Sequence, residues 1–525
     1  GNTIQNANTH SLTANLNMTK FYKKSGLRDL GIKKKRPKKS KDKNKDKANT
    51  TKPPTPTSGV NKGVQRGLIP KKDWSTGQQL IQGFVDVITS VKNIRVSYTE
   101  RNGTLLPGYS PEIGFLGIDN SAPTLAFVFG SQRDIRNRAL INNWLVVREA
   151  GDPSFSRTYT NTHFEDLAIN ADVKPFKNFN IELSANKTFA SNVSQLIDPV
   201  RDTNGDISLN GSPLNESGNF NISYFMLPTA FDGDGDDTFE KFKDNRAILQ
   251  QRLAQETGLP VSGFGDNSPD VLIPSFLAAY SGKSASKIKT GAFRNIPIPN
   301  WRINYKGFMQ FAWFKKHFRS FNVDHRYNSS YQIIGFTNNL QYTPENRLTN
   351  LDINGNYQPE KLFNGINLIE EFNPLIRVDM KMRNNFSLRA EVRRDKSLTL
   401  NLNNNTITEI RGQEYVFGLG YRFKDVKWTL KTGATTTRFK GDINLKADIG
   451  IRDNSTVIRS IDIDNNQVTG GQRLLSIKFN ADWTLNQSLM ASFFYDQNSS
   501  RFLISNTFPR NSINTGISLR YTIGN

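Results

Sequence analysis

Arg473–Leu485 reads RLLSIKFNADWTL. From 475 on, the odd positions are Leu475, Ile477, Phe479, Ala481, Trp483 and Leu485. The even positions are Ser476, Lys478, Asn480, Asp482 and Thr484. Successive side chains of a strand point to opposite faces, so this run has one apolar face and one polar face. Leu489–Tyr495 follows. Ser512–Ile523 then repeats the pattern: Ile513, Ile517, Leu519, Tyr521 and Ile523 alternate with Ser512, Asn514, Ser518, Arg520 and Thr522, and Thr515 is the exception. The alternation calls for two solvents, one apolar and one aqueous. A soluble sandwich supplies them by turning its apolar face to a core. A membrane-spanning barrel supplies them by turning that face to lipid.

The chain has 525 residues and a formal net charge of +22, with 36% hydrophobic residues. It contains no run of about 18 or more apolar residues, so no helix is expected to cross a bilayer. A β-barrel escapes that test because every second residue of a strand is polar. Phe (35) and Tyr (15) are numerous enough for aromatic girdles. There is no cysteine, which excludes disulfides, thiolate metal sites and a cysteine nucleophile. The first residue is Gly1 and no signal peptide is present, although an outer-membrane protein needs one. The expectation is the C-terminal part of a longer, exported protein.

Residues 1–32 read as barrel strand, with Leu12, Ala14, Leu16 and Met18 on one face. Residues 33–73 form a Lys/Pro-rich linker that includes KKKRPKKSKDKNKDK. Too little apolar surface is available there for folding, so disorder is expected. Its lack of aromatic residues from Lys33 to Gly63 argues against nucleic-acid binding. Residues 74–231 read as strands and loops, with a short amphipathic helix over Trp74–Ser90, a turn at Leu106-Pro107-Gly108, and a hairpin about Lys174–Asn178. Leu125–Gly130 reads as a short Gly-bounded segment. Residues 232–296 read as a helical loop insert. Asp237 and Glu240 there suit a capping box, Gly258 a stop, and Val271–Tyr280 a second helix. Residues 297–525 read as C-terminal strands, with a tight turn at Asn384-Asn385, another at Asn486-Gln487, and a long loop over Phe336–Asn373. Roughly 14 strands are expected, several longer than the ~9–11 residues that cross a membrane. Long strands and tight turns alternating with long polar loops favour the barrel. On counting turns back from the C-terminus, the insert and the Lys174–Asn178 turn fall at the same, outer end.

Little in the sequence points to catalysis. Asp232–Asp237 resembles the start of a calcium loop, but Asp237 stands where the pattern needs Gly and Lys243 where it needs Glu. A polar turn that caps the helix is the simpler reading. His10, His163, His317 and His325 have no metal-ligand spacing. No Walker A, GxSxG or HExxH motif occurs. The expectation is a protein that is not an enzyme and carries no metal or cofactor.

Several unusual stretches occur in order: FVFGSQRDIR (Phe127–Arg136), GNFNISYFMLPTAF (Gly218–Phe231), VLIPSFLAAYSG (Val271–Gly282), PIPNWRINY (Pro297–Tyr305), FNPLI (Phe372–Ile376), GLGYRF (Gly418–Phe423) and IRDN (Ile451–Asn454). Together they resemble the SprA (Sov) family, the outer-membrane translocon of the bacterial type IX secretion system, linked to gliding motility in Bacteroidota. Within these motifs Trp301, Arg302, Tyr305, Gly418, Gly420 and Tyr421 read as structural. The resemblance implies an all-β fold: the C-terminal part of a very large antiparallel transmembrane β-barrel. It implies a passage for folded cargo that carries a type IX C-terminal signal domain, a shuttle barrel protein closing a lateral opening, and a periplasmic plug protein. Leu475, Ile477, Phe479, Trp483, Ile517, Leu519 and Tyr521 are then expected to face outer-membrane lipids. Lys478, Asn480, Asp482, Ser518 and Arg520 are expected to face the lumen. Two other readings remain open at this point: an outer-membrane transporter for solutes or lipopolysaccharide, and a soluble β-rich adhesin.

Overall fold

A computed structural model describes residues 2–25, 85, 88–112, 114–115, 122–153, 157–233, 235–433, 435–463, 466–485, 488–504 and 508–523. The linker expected over 33–73 and the turn at Asn486-Gln487 lie outside these residues, as does most of the helix expected over 74–90. The strands are β1 Asn2–Asn17, β2 Val91–Tyr109, β3 Arg148–Glu149, β4 Arg157–Val173, β5 Phe179–Arg201, β6 Ile207–Gly211, β7 Asn215–Ser223, β8 Asn300–Tyr305, β9 Phe318–Asn338, β10 Lys361–Met382, β11 Phe386–Asn401, β12 Thr406–Thr432, β13 Thr435–Ser460, β14 Asn466–Thr484, β15 Leu489–Phe502 and β16 Arg510–Tyr521. All belong to one sheet of 16 strands. Its path runs β1-β2-β4-β5-β7-β9 and then in sequence order to β16, antiparallel throughout. The short β3 lies parallel to β5 off this path. The all-β antiparallel architecture agrees with the sequence reading. Among the described residues, β1 and β16 do not pair with each other.

β7 and β8 fill a single position in the sheet. β7 pairs with the upper part of β5 (Lys187↔Ile222) and β8 with its lower part (Ser184↔Asn300), and both also pair with β9. The helical insert therefore leaves the sheet in mid-strand and returns at the same height. Side chains and loop amides bridge the interruption. The Ile298 amide donates to the Ser223 carbonyl at 3.0 Å, and the Tyr224 amide donates to the Ser329 carbonyl at 3.0 Å. Asn300 Oδ1 accepts from the Ser329 amide at 2.8 Å, and Ser223 Oγ accepts from the Asn186 amide at 2.9 Å. These bonds give backbone groups at the break partners, which helps a sheet tolerate it.

The insert holds a helix over Asp236–Thr257 and a second over Pro269–Ser281. Gly258 closes the first in the left-handed conformation, as expected. The expected Asp237/Glu240 capping box is absent: the cap is Gly235, itself left-handed, and it makes no side-chain hydrogen bond. The second helix is apolar all round and buried, from Val271 to Ser281. Both pack on one face of the sheet, against Phe220, Ile222, Tyr331, Ile333, Ile366, Leu368, Leu398, Leu400 and Ile407.

Two further expectations are corrected, and the short Gly-bounded segment gains a class. The Leu106-Pro107-Gly108 turn is part of β2, where the register shift at Asn2/Thr3 takes up Gly108. Leu125–Val128 is a single helical turn. It belongs to a loop whose Phe127, Ile135, Ala139 and Trp144 cover Leu106, Tyr159 and Ile197. The loop expected over 336–373 is strand from Lys361 onward.

Short and long connections occur at both ends of the sheet: the end with the β4–β5 turn also carries residues 18–90 between β1 and β2 and 306–317 between β8 and β9, and the other end includes the four-residue turn 402–405. At one end the turns after β4, β10, β12 and β14 are short, and Asn178, Asn385 and Gly433 there take positive φ (67°, 70° and 61°). Asn and Gly are the residues that reach this conformation at least cost. At the other end stand the helical insert and the 339–360 loop. The 174–178 turn thus lies opposite the insert, not beside it. The miscount arose because β7 and β8 are one position, not two.

Candidate membrane interface and polar face

The register links the strands into two continuous faces. On one face lie Leu12, Ala14 and Leu16 (β1), Ile94, Val96 and Tyr98 (β2), Leu167, Ile169 and Ala171 (β4), and Phe179, Ile181 and Leu183 (β5). Trp301, Ile303 and Tyr305 of β8 continue it, then Phe321 and Val323 of β9, Ile376, Val378 and Met380 of β10, and Leu388, Ala390 and Val392 of β11. Next come Tyr415–Tyr421 (alternate residues), Leu445–Ile451 (alternate residues), Leu475, Ile477, Phe479, Ala481 and Trp483, Ala491 and Phe493, and finally Ile517, Leu519 and Tyr521. All seven residues expected to face lipid stand on this belt. Lys478, Asn480, Asp482, Ser518 and Arg520 stand on the opposite face.

Apart from Phe225 against Trp301, and Phe308 and Phe314 against Tyr305 and Phe321, the described residues leave the belt uncovered. Phe417 is 61% exposed, Ile517 75% and Leu519 71%. A sandwich would bury these rings and methyls under a second sheet; here every strand belongs to one sheet. The paired rows also run obliquely to the belt. The row that starts at Phe179, at the foot of β5, passes Tyr305, Val323, Val378, Ala390, Phe417, Ile449 and Ile477 and leaves the apolar belt at Gln497. Such stagger accompanies strands that tilt as a sheet curls toward a barrel.

Aromatic rings collect at the margin of the belt toward the β4–β5 turn. Tyr305, Phe308, Phe314 and Phe321 are in edge or tilted contact, with centroids 4.9–5.3 Å apart. Phe386 and Tyr421 lie 4.3 Å apart, and Trp428 and Trp483 5.5 Å. Aromatic residues concentrate where hydrocarbon meets headgroups.

Toward the other end, the same face changes to a polar band. His163 Nδ1 lies 2.6 Å from Asn102 Oδ1, and Lys187 pairs with Glu165 at 3.4 Å. Across β10–β13 the band holds Glu370, Lys396, Glu409, Arg411 and Arg459, most of them buried beneath the insert. Glu409 is reached by Arg411 at 2.5 Å, Arg459 at 3.4 Å and Lys396 at 3.8 Å. Arg459 also pairs with Asp236 on the insert, and Lys396 donates to the Thr229 carbonyl at 3.2 Å. The Glu370 carboxylate accepts from Tyr327 Oη at 2.9 Å, and Tyr327 Oη in turn accepts from the Met226 amide at 2.9 Å. Burial, with Glu409 nearby, raises the pKa of the Tyr280 phenol and keeps it neutral. Of the suspected calcium loop, Asp236 is thus bound to an arginine, and Asp232 accepts from Thr238 Oγ1. The described residues include no cluster of three or more metal-ligating side chains.

The opposite face is polar along the height of the belt. Arg377 meets Asp324 and Asp379, each at 3.0 Å, and Arg389 reaches Asp379 at 3.2 Å. Arg393 bridges Glu391 (2.6 Å) and Glu414 (3.2 Å), and Arg452 bridges Asp395 (2.8 Å) and Glu414 (3.6 Å). Lys478 lies 3.9 Å from Asp496. The motif residues divide between the faces. Trp301 stacks on Tyr327 at 4.3 Å on the belt side, as Tyr305 and Tyr421 join ring clusters there. Arg302 faces the polar side, 4.0 Å from Asp324. Gly418 and Gly420 leave room there for Asp448 and Ser387, whose oxygens would stand 2.5 and 2.4 Å from an added Cβ. The buried band is what sequence reading missed. Its only signal is a run of charges, Arg394 and Lys396 or Glu409 and Arg411, in the otherwise apolar phase of a strand.

No protein-family model matches the chain, and no curated protein does. Among solved structures it is similar to the RagAB peptide transporter (10% identity, TM-score 0.27, 78% of this chain and 45% of that one). It is similar also to the RagAB peptide importer in its "open-open" state (9%, TM-score 0.26, 79% and 45%). A third is the ferric-catecholate import receptor Fiu from K12 E. coli (8%, TM-score 0.23, 79% and 56%). The chain spans about half the length of each of these. At such scores the likeness decides neither fold nor function.

Proposed function

We propose that this chain is part of the wall of a bacterial outer-membrane β-barrel, and that the barrel is the protein-conducting translocon of a type IX secretion system. One observation carries the membrane reading: a continuous apolar belt, open to its surroundings on a single sheet, backs onto a face of charged and amide side chains. Water on both faces would expose the belt at a cost of about 25 cal/mol for each Å². Lipid on one side and water on the other suits both faces. Inside a bilayer every backbone group needs a partner, which a closed sheet supplies.

The width of the wall supports a large cargo. Among the described residues the sheet path is thirteen strands across and does not close, and barrels of 16–18 strands already hold an aqueous channel. The resemblance to the SprA family supplies the rest: cargo with a type IX C-terminal signal domain, a shuttle barrel partner, a periplasmic plug and a link to gliding motility. The chain itself acts as a passive conduit, without catalysis or cofactor.

Depletion of the protein in its native cell tests the reading. Loss of secretion of signal-domain cargo, with peptide and siderophore uptake intact, is the expected result. Loss of uptake with secretion intact would favour a solute transporter. Release of the protein from membranes by salt alone, without detergent, would favour an adhesin.

A further inference from the structure

The hairpin of β12 and β13 outruns its neighbours. β11 pairs with β12 no further than Phe386↔Tyr421, and β14 pairs with β13 no further than Trp483↔Ile443. Beyond the register shift at Phe423/Val426, seven more residue pairs run from Val426↔Gly441 to Thr432↔Thr435. At about 3.3 Å per residue, this ribbon projects roughly 20 Å past the adjoining strands. Trp428 ties down its base, with the ring 5.5 Å from Trp483 and Nε1 donating to the Leu485 carbonyl at 3.4 Å. A two-stranded ribbon in water is only marginally stable by itself.

The two faces of the ribbon differ. Trp428 continues the apolar belt through Trp483. The opposite face is basic: Lys427 stands directly across from Lys440, Thr429 from Arg438, and Lys431 from Thr436. All four cations are exposed. Like charges directly opposite each other destabilise a strand pair. Lys440 pairs with Asp425 at 3.0 Å, and Asp425 is the one acidic residue from Lys424 to Gly441. Among the described residues, Lys427, Lys431 and Arg438 make no ion pair. The undescribed residues at the tip and at the adjoining turn, Ala434 and Asn486-Gln487, carry no charge.

From Val426 to Thr432, no described strand pairs with β12 on the side that β11 occupies higher up. An open edge takes a further strand through its backbone groups. Lysines along an edge turn away strands of like charge, and by the same rule they favour one of opposite charge.

We propose that an extended acidic segment of a partner protein docks as an added strand on this edge, with its carboxylates against Lys427 and Lys431 and with Arg438 one strand further in. Such a site goes beyond the translocon reading and does not depend on it.

The chain contains no cysteine, so Thr436→Cys supplies a single attachment point for an environment-sensitive fluorophore on the ribbon. The labelled full-length protein, in mild detergent, is titrated with a ten-residue peptide of alternating Glu and Val. A saturable change in emission is expected. Binding should weaken at least about tenfold in the triple variant Lys427→Gln, Lys431→Gln, Arg438→Gln. It should persist when Lys34, Lys35 and Lys38 of the basic linker are changed to Gln. The charge-reversed variant Lys427→Glu, Lys431→Glu, Arg438→Glu should instead prefer the corresponding Lys/Val peptide. N-methylation of the Glu/Val peptide's amides should abolish binding, because a strand adds through its backbone. No response to the acidic peptide, an undiminished response in the triple Gln variant, or binding that survives N-methylation would overturn the added strand. An equal response to phosphatidylglycerol mixed into the same micelles would assign the ribbon to a lipid surface and overturn it as well.

Discussion

Arg459 and Glu409 face each other across β13 and β12 at 3.4 Å, 1% and 0% exposed, under a helix whose Asp236 holds the same guanidinium. Glu409 is also the common partner of Arg411 and Lys396. It offers one carboxylate to three cations where water is scarce. Glu409→Gln removes the counter-charge that Arg411 and Lys396 share and leaves Arg459 with Asp236, and removal of one partner from a buried pair costs about 3–5 kcal/mol. The expected outcome is an insert that undocks: limited proteolysis should cut within residues 224–299 of the variant faster than in the wild type, with the sheet itself still resistant.

The belt assignment predicts opposite outcomes at adjacent positions. Ile477→Arg places a charge on the apolar face and should weaken assembly by roughly 2–4 kcal/mol near the bilayer midplane. Ser476→Arg, on the polar face, should leave assembly close to normal. Heat-modifiable mobility on gels reads out both, and normal assembly of Ile477→Arg would refute the face assignment.

Tyr327 ties three elements together. It stacks on Trp301, accepts from the Met226 amide and donates to Glu370. Tyr327→Phe keeps the ring and removes the hydroxyl, which strands a buried amide and a buried carboxylate. A loss of about 1–3 kcal/mol is expected in denaturant unfolding. An unchanged midpoint would mean that water takes over both contacts.

Two glycines separate backbone clash from side-chain clash. A Cβ on Gly218 would lie 2.1 Å from the Ala190 carbonyl oxygen, part of the next strand. On Gly418 it would meet the Asp448 carboxylate at 2.5 Å, the end of a side chain that can rotate. Gly218→Ala should therefore cost about 1–3 kcal/mol as an overpacked site, and Gly418→Ala much less. Equal thermal shifts for the two variants would show that the strands yield as easily as the carboxylate does.

Strands with one apolar and one polar face and nothing packed above them wrote their phase plainly into the sequence. β14 and β16 could be read directly, because a side chain at 477 or 517 has a single job. Strands with a second layer above the belt were harder. In residues 361–372 of β10, Asn364 and Gly365 sit at a bulge and Glu370 occupies the apolar phase because it meets Tyr327, so the alternation looks broken. The mid-strand departure of the insert left no local mark at all. It depends on β7 and β8 meeting on β5, a long-range fact that turn counting cannot supply. The buried band was legible only as misplaced charge, since its meaning lies in the helix that covers it.

β7 stops and β8 starts on neighbouring rungs, so residues 224–299 enter and leave the sheet at one point. A shorter bridge between Ser223 and Asn300 would leave the register of every neighbouring strand untouched. The covering of this face could thus change in evolution while the strand pairing beneath it stays the same.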